Sequence, residues 1–487
     1  MNHFINKLSK ITIGGFGGIL IYSFTVSFFT GYSDFIDEKI RILYSVTLAF
    51  TIIVILFTVY KSRERIVKHS FSLYRISDFS IFFIALLIRL IWVSFSGIDI
   101  TEDYLYYHNN AIKILDGNPI ISVDRPPGAS IFFAIHYYLF GISPIYPRIV
   151  LAILSSIQVI LILNIARLYV NSKIKPIVGA LILAFYPEHI LYCNLLGSDV
   201  LFTTLLLFAI CLIILGFKKY PDYQTQLLSF SGFIMGLSHW VRTVMPMYFM
   251  AVFLFLLIIP RKLFPGKIRK ISVLVLSTII PIIPIIMFNY NTLGTYSIHS
   301  SQNKGFSIAI GTLPESHGRA HLWAKSDDYN LFENYYNNII SADKNDNQKV
   351  LLNEALTSWG LNRIIMNPGR YIKFIFLDKI SNSWGIISLA QSLDTTILSS
   401  ILPFVWFISD LYHRIIILVV GVLMLNLIFQ KVPYFDERHI ILFSAIIFTI
   451  SAFILECSPR YHHPFLPFLC LFIGSTDFDS LFKRKIG

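Results

Sequence analysis

The sequence predicts an all-α polytopic membrane protein of about twelve transmembrane helices, with interfacial helices in the first outer loop and a large outer loop before the C-terminal spans. Three observations predict it. Of 487 residues, 55% are hydrophobic and 14% charged, with mean hydropathy +0.66, whereas soluble domains carry charge on about a quarter of their residues. Uncharged stretches of the roughly 17–25 residues that span a hydrocarbon core recur along the chain, most clearly at 11–32, 42–60, 149–166, 200–217 and 271–290. Lys and Arg gather on alternate connections, the distribution that orients membrane helices with their basic loops inside.

The chain opens MNHFINKLSK before a 22-residue apolar run. That run is too long for a signal h-region and lacks a small-residue cleavage site, so it is expected to stay as a span with nothing removed. Further spans are expected near 42–60, 77–97, 148–166, 176–193, 199–217, 226–241, 243–260, 271–290, 412–430, 438–456 and 462–477. With both termini cytoplasmic, the inner connections hold Lys61, Arg63, Arg65, Lys68 and Arg75; Arg167, Lys173 and Lys175; Lys218 and Lys219; Arg261 to Lys270; and Lys483 to Lys485. The short outward connections are almost free of Lys and Arg. This register needs the apolar stretch 127–142 to lie along the outer interface, because counting it as a span turns Arg167, Lys173, Lys175 and the Arg261 to Lys270 cluster outward.

The net charge of +12 then follows from orientation in a plasma (inner) membrane and contact with anionic inner-leaflet lipid. No nucleic-acid motif is present. Cys193, Cys211, Cys457 and Cys470 lie in or beside apolar segments without CxxC or Cys/His spacing, which supports neither a disulfide framework nor a zinc site. The organisation expected is a two-span N-terminal addition with its basic loop (1–76), a transmembrane core (77–290) with the first outer loop at 98–147, an outer loop domain (291–395) and C-terminal spans (396–487). The outer loop domain contains DDYNLFENYYNNIISADKNDN. Loops longer than about 15 residues are usually functional or disordered.

The chemistry-bearing residues map to the outer side. In GIDITEDYLYYHNNAIKILDGNP, Asp103, Tyr107 and Ala111 share a helix face, with Glu102 about 100° away. Read alone, Glu102 and Asp103 are equally first-turn acids after a Thr101 cap. Arg125, in Asp124-Arg125-Pro126-Pro127-Gly128, suits a phosphate at headgroup level, since a guanidinium offers bidentate donors; read alone, it is equally a snorkelling interfacial side chain. Asp199 returns to the same face, with Glu188 and His189 one to three turns earlier, and Arg242 and Arg460-Tyr461 map to the outer boundary. Ionisable groups at membrane depth are costly and mark function by default, and Arg89 inside FFIALLIRLIW falls under the same rule with no partner assignable from sequence. The candidates are therefore Asp103, Glu102 and Asp199 for catalysis, Arg125, Arg242, Arg460 and Tyr461 for a lipid phosphate, and Tyr107, Glu188 and His189 for a sugar or acceptor pocket. A carboxylate acts as general base on an acceptor, arginines stabilise the departing phosphate, and direct displacement with inversion is the simplest route.

The order of these pieces resembles the dolichyl-phosphate-mannose-protein-mannosyltransferase-like and aminoarabinose-transferase-like branch of GT-C glycosyltransferases. The resemblance runs over roughly 77–477: Arg89-Leu90; Asp103, Tyr107, Ala111 and Gly117; Arg125-Pro126-Pro127; Phe140-Gly141 and Arg148; Pro187 to Ser198-Asp199; and Gly236-Leu237 to Arg242. It continues with Asn291 and Gly294, Gly311, Thr312 and Gly318, Asn367-Pro368 to Lys379 and Trp384, and Arg460-Tyr461 to Pro464. The resemblance implies a catalytic acid at Asp103, lipid-phosphate binding at Arg125, Asp199 in the same cavity, a polyprenyl-phosphate monosaccharide donor and sometimes a divalent cation such as Mg or Mn. Two departures matter. Many members carry Asp-Glu where this chain has Glu102-Asp103, which leaves open which carboxylate is the base, and Arg125 stands where aminoarabinose transferases usually carry Lys. Neither of the two long outer segments, 98–126 and 291–395, carries a DxD pair. The acceptor is a lipid, a glycan or a protein. Two other readings are a polysaccharide polymerase or O-antigen-ligase-like protein, which would centre basic and His residues on the large loop, and a lipid-linked glycan transporter, which would break helices in paired halves; Pro281 and Pro284 are candidate breaks.

Overall fold

The computed structural model describes residues 2–30, 38–69, 76–95, 100, 102–118, 125–294, 296–298, 304–316, 346–387, 402–428 and 435–476, and every regular element among them is helical. In order they are α1 (Asn2–Thr30), α2 (Glu38–His69), α3 (Asp78–Phe95), α4 (Glu102–Leu115), α5 (Gly128–Phe140), α6 (Ile145–Ala166), α7 (Ile174–Ala184), α8 (Pro187–Leu191), α9 (Asp199–Lys218) and α10 (Gln224–Val241). Then come α11 (Met245–Ile258), α12 (Lys267–Leu293), α13 (Lys304–Gly311), α14 (Asp346–Met366), α15 (Pro368–Phe374), α16 (Ile380–Trp384), α17 (Leu402–Ile428), α18 (His439–Ser451) and α19 (Leu466–Ser475), the last preceded by a 3-10 stretch at Pro459–Phe465. Within the outer loop domain expected at 291–395, residues 295, 299–303, 317–345 and 388–395 lie outside the described residues, as do the basic C-terminal residues, Thr101, Asp124 and Gly318.

Among the described residues, five helices are long and apolar enough to cross a bilayer: Phe4–Phe28, Ile145–Ala166, Asp199–Lys218, Lys267–Asn291 and Pro403–Ile428. Several expected spans fall on shorter helices. The stretch 243–260 yields α11 with 14 residues, 438–456 yields α18 with 13, and 462–477 yields part of the 3-10 stretch plus the ten residues of α19. Thirteen residues rise about 20 Å against a hydrocarbon core of about 30 Å. A hydropathy window does not see where the backbone stops: Pro246 sits in the first turn of α11, and Ile259 is already extended before Pro260. The stretch 127–142 becomes α5, also 13 residues, which buries Ala129, Phe133, Ala134 and Tyr137 and exposes Ile135, Tyr138 and Leu139.

Two proline readings need correction. The span expected at 176–193 is broken: Tyr186 is extended before Pro187, and the helix pair bends by 57°. Conversely, α12 passes Pro281 and Pro284 as one helix. It is held against α10, where Gly232 and Gly236, four residues apart, bring the backbones so close that a Cβ at either would collide with the carbonyls of Leu274 and Thr278. Trp240 Nε1 also donates to the Pro281 carbonyl at 2.6 Å.

The N-terminal helices are built into the bundle. Arg414 and Asp410 of α17 form a buried pair at 2.9 Å; Arg414 also donates to Ser27 of α1, and Tyr44 of α2 donates to Asp410 at 3.0 Å. Central α9 runs from Asp199 at one end of the molecule to Lys218 at the other, about 30 Å away at helical rise. At the Lys218 end, Lys218 and Arg438 lie 4.9 and 4.5 Å from the Tyr169 ring centroid, and Lys218 pairs with Glu437 at 3.4 Å. Arg167 grips Asp78 with two bonds of 2.6 and 2.7 Å. Residues expected on inner connections thus meet at the end opposite Asp199.

Candidate active site

The site is assembled from four connections at the Asp199 end. Helix α4 begins at Glu102, and its spacing turns Tyr107 and Ala111 into the core while Asp103, in the first turn, keeps 28% side-chain exposure. The Arg125-Pro126-Pro127 segment enters α5, and Gly128 sits so tightly on the C-terminal end of α10 that a Cβ would lie 2.6 Å from the Trp240 carbonyl. That approach carries Arg125 to Asp103: Nη2 donates to Oδ1 at 2.5 Å, with the guanidinium 5.7 Å from the Tyr106 ring.

Helix α10 stops at Val241, and Arg242 leaves in an extended conformation, φ −147° and ψ 135°. Its Nη1 forms a short ion pair with Asp199 Oδ1, and its guanidinium lies 5.6 Å from the Tyr461 ring. Asp199 is the first residue of α9, where the helix dipole favours an anion, and is 1% exposed. At Gly197 a Cβ would lie 3.0 Å from both the Tyr104 ring and Asp199 Oδ2, so the starts of α4 and α9 approach closely across this glycine.

Arg460, from the 3-10 stretch, joins the two acids. Its Nε donates to Asp199 Oδ1 and Oδ2 at 3.2 and 3.1 Å, its Nη2 to Oδ2 at 2.8 Å, and its Nη1 to Asp103 Oδ2 at 3.0 Å. Burial lowers the Arg460 guanidinium, but Asp199, Tyr104 and Asp103 carry it well above its ordinary value. Arg125 follows the same pattern: burial lowers it and Asp103 more than restores it. Tyr461 Oη donates to Glu456 Oε2 at 2.7 Å. Three guanidinium groups against two carboxylates leave the directly bonded set with a charge of +1, which favours an anionic ligand.

Of the predicted site residues, the structure brings Asp103, Asp199, Arg125, Arg242, Arg460 and Tyr461 together, with Tyr107 buried on the same face of α4. The Glu102 side chain lies outside the described residues. Glu188 and His189 point elsewhere. Glu188 bonds His462 at 3.1 Å, and His189 Nδ1 accepts from Arg89 Nη2 at 2.7 Å while its other nitrogen bonds Gln158 at 2.8 Å. Arg89 also donates to the carbonyls of Ala184 at 3.2 Å and Leu183 at 3.5 Å. It therefore caps the end of α7 where Pro187 breaks the helix. Tyr104 and Tyr106, which the i, i+4 reading of α4 passed over, are the ring partners of Arg460 and Arg125; their signal was adjacency to Asp103. A Mg or Mn ion does not fit between Asp103 and Asp199, because guanidinium donors already occupy all four of their carboxylate oxygens.

Residues 124–288 match the family described as dolichyl-phosphate-mannose-protein mannosyltransferase, the branch of GT-C glycosyltransferases that the motif order resembles. Two crystal structures of ArnT from Cupriavidus metallidurans are also similar. The form bound to undecaprenyl phosphate has 13% identity and a TM-score of 0.36, covering 81% of this chain and 76% of its own. The apo form has 12% identity and a TM-score of 0.33, covering 80% and 76%. At that level of agreement nothing below rests on them. No curated protein matches the chain.

Proposed function

We propose that this chain is a multi-pass membrane glycosyltransferase that moves one monosaccharide from a polyprenyl-phosphate carrier to an acceptor on the non-cytoplasmic face, with inversion at the sugar. The observation that carries the reading is the single cluster in which Arg125, Arg242 and Arg460 converge on Asp103 and Asp199. The family match over 124–288 supports it, since that segment holds Arg125, Asp199 and Arg242. The clustering of Arg167, Lys218 and Arg438 at the opposite end supports an outward-facing site.

The two aspartates have different parts. Asp103 is the more accessible and bonds one nitrogen of each of two arginines, so a donor phosphodiester that takes over Arg125 and Arg460 releases its carboxylate to accept the acceptor's proton. Asp199 is buried under Arg242 and Arg460 and holds them in place. As the sugar–phosphate bond breaks, charge grows on the departing phosphate, and preformed guanidinium donors stabilise it more than they stabilise the bound donor. Phosphate is a good leaving group, so no strong acid is needed. Coupling base release to donor binding also keeps the carboxylate paired while no sugar is present.

The test is incubation of the purified, detergent-solubilised chain with radiolabelled polyprenyl-phosphate monosaccharides and acceptor-containing membranes, following release of free polyprenyl phosphate. Release by the wild type and not by Asp103→Asn is expected. Equal release by both refutes Asp103 as the base, and silence across a complete donor panel refutes the proposed transfer.

A further inference from the structure

Glu188, His413 and His462, none of which the proposed transfer uses, meet in the interior. They come from α8, α17 and the 3-10 stretch, each is at most 1% exposed, and one ligand atom from each lies within 4.8 Å of the others. Glu188, His413 and His462 are far apart in the chain and fit no ligand spacing, so this grouping was not readable from motifs.

Hydrogen bonds fix the imidazole tautomers. His462 Nδ1 faces the Ser383 carbonyl at 3.0 Å, and His413 Nε2 faces the Trp384 carbonyl at 2.7 Å. A carbonyl oxygen only accepts, so each ring carries its proton on that outer nitrogen. The inner lone pairs are His462 Nε2, 3.1 Å from Glu188 Oε2, and His413 Nδ1, which accepts from the buried Tyr186 hydroxyl at 2.5 Å. The two rings stack with centroids 4.7 Å apart and planes 17° from parallel. Histidines whose outer N–H groups are tied to carbonyls, leaving inner lone pairs turned to a carboxylate, have the arrangement that orients metal ligands. A carboxylate and a bare imidazole nitrogen are both acceptors, so a proton or a metal cation must stand between Glu188 and His462, and the His413 ligand atom lies within 4.8 Å of theirs.

We propose that Glu188, His413 and His462 bind a divalent transition-metal ion of the zinc class, with the Tyr186 hydroxyl or a water as fourth ligand. Two imidazoles and one carboxylate suit zinc rather than Mg or Mn, which prefer all-oxygen sets. A tetrahedron of zinc-length bonds places its ligand atoms roughly 3.3 Å apart, so the His462–Glu188 separation fits as it stands, while His413 must move inward and Tyr186 must give up its bond to it. The ion would pin three distant parts of the chain together, and His462 stands two residues from Arg460. The site is therefore structural: it fixes the stretch that carries the bridging arginine.

The experiment uses the full chain in detergent. Purified without chelator, it is expected to hold about one zinc per chain by mass spectrometry of metals, falling to near zero in Glu188→Gln/His462→Gln. His189→Gln, a buried histidine outside the site, keeps its metal. Stripped wild-type chain titrated with Co2+ develops visible d–d bands that Zn2+ abolishes, and this measurement stands even where a variant fails to accumulate. Failure of the stripped wild type to take up Zn2+ or Co2+ overturns the proposal and leaves a shared proton between Glu188 and His462. Retention of a full equivalent by the double variant overturns it as an adventitious ion only. Neither readout needs sugar transfer, so this site and the proposed activity fail separately.

Discussion

Asp103 and Asp199 share Arg460, yet their loss has opposite consequences, and burial sets the difference. Asp103 is 28% exposed and its partner Arg125 32%, so water already screens the pair. Exposed ion pairs contribute about 0–1 kcal/mol, and Asp103→Asn is expected to lower stability by about 1 kcal/mol or less. Asp199 is 1% exposed and opposes Arg242 and Arg460, which are 13% and 17% exposed. Asp199→Asn removes the carboxylate that Arg242 pairs with and leaves Arg460 only its bond to Asp103, a loss of about 3–5 kcal/mol on the scale of broken buried pairs. In activity the order reverses. Asp103→Asn removes the proposed base, worth about 10²–10⁴-fold in rate, in a chain that still folds. The assay is denaturation of both variants in one detergent, followed by intrinsic tryptophan fluorescence, beside donor consumption. Equal destabilisation by the two substitutions, or an Asp103→Asn chain that is both stable and fully active, would refute the division of roles.

Other substitutions separate the remaining parts. Arg125→Ala, which removes the half-buried guanidinium proposed to hold the donor phosphate, should raise the KM for donor by roughly 10-fold with a smaller change in kcat, as expected for an interaction made in both ground and transition states; a loss confined to kcat contradicts that placement. Glu102→Gln should retain most activity; if it is dead while Asp103→Asn is active, the base is Glu102. Arg89→Met should destabilise the chain by about 3 kcal/mol or more, since it strips the buried carbonyls of Leu183 and Ala184 and His189 of their donor; an unfolding midpoint equal to wild type removes Arg89 from that role.

Much of this was legible in the sequence, and what was not has specific physical causes. Helix character and the two-ended charge distribution follow from composition and from the spacing of Lys and Arg; Arg242 and Arg460 were identified by their cost at membrane depth, and Asp103, Arg125 and Asp199 by their place in the outer segments and the motif order. Pairing was not legible, because an ion pair depends on where a helix ends: Arg242 reaches Asp199 only because α10 stops at Val241 and the backbone turns extended. Arg89 had no visible partner because its partners are backbone carbonyls freed by the break before Pro187. Glu188 and His189 were assigned to the pocket by their distance along an assumed straight span, and the 57° bend turns them to His462 and Arg89 instead.

That same bend links the two ends of the reasoning. A continuous helix over 176–193 would satisfy its own carbonyls and leave the buried Arg89 with fewer acceptors, Ser155 and the Ala85 carbonyl among those that remain. The break supplies Arg89 with acceptors, starts α8 at Pro187 and sets Glu188 against His462. His462 lies on the stretch whose Arg460 holds both aspartates. A substitution at Pro187 that restores helix continuity is therefore expected to loosen Arg460 without touching it. In that variant the Asp199–Arg460 coupling, measured by a double-mutant cycle with Asp199→Asn and Arg460→Met, should fall below its wild-type value, where contacting charged residues couple by about 0.5–3 kcal/mol. An undiminished coupling energy would mean that the 3-10 stretch is positioned by its own packing and owes nothing to the break.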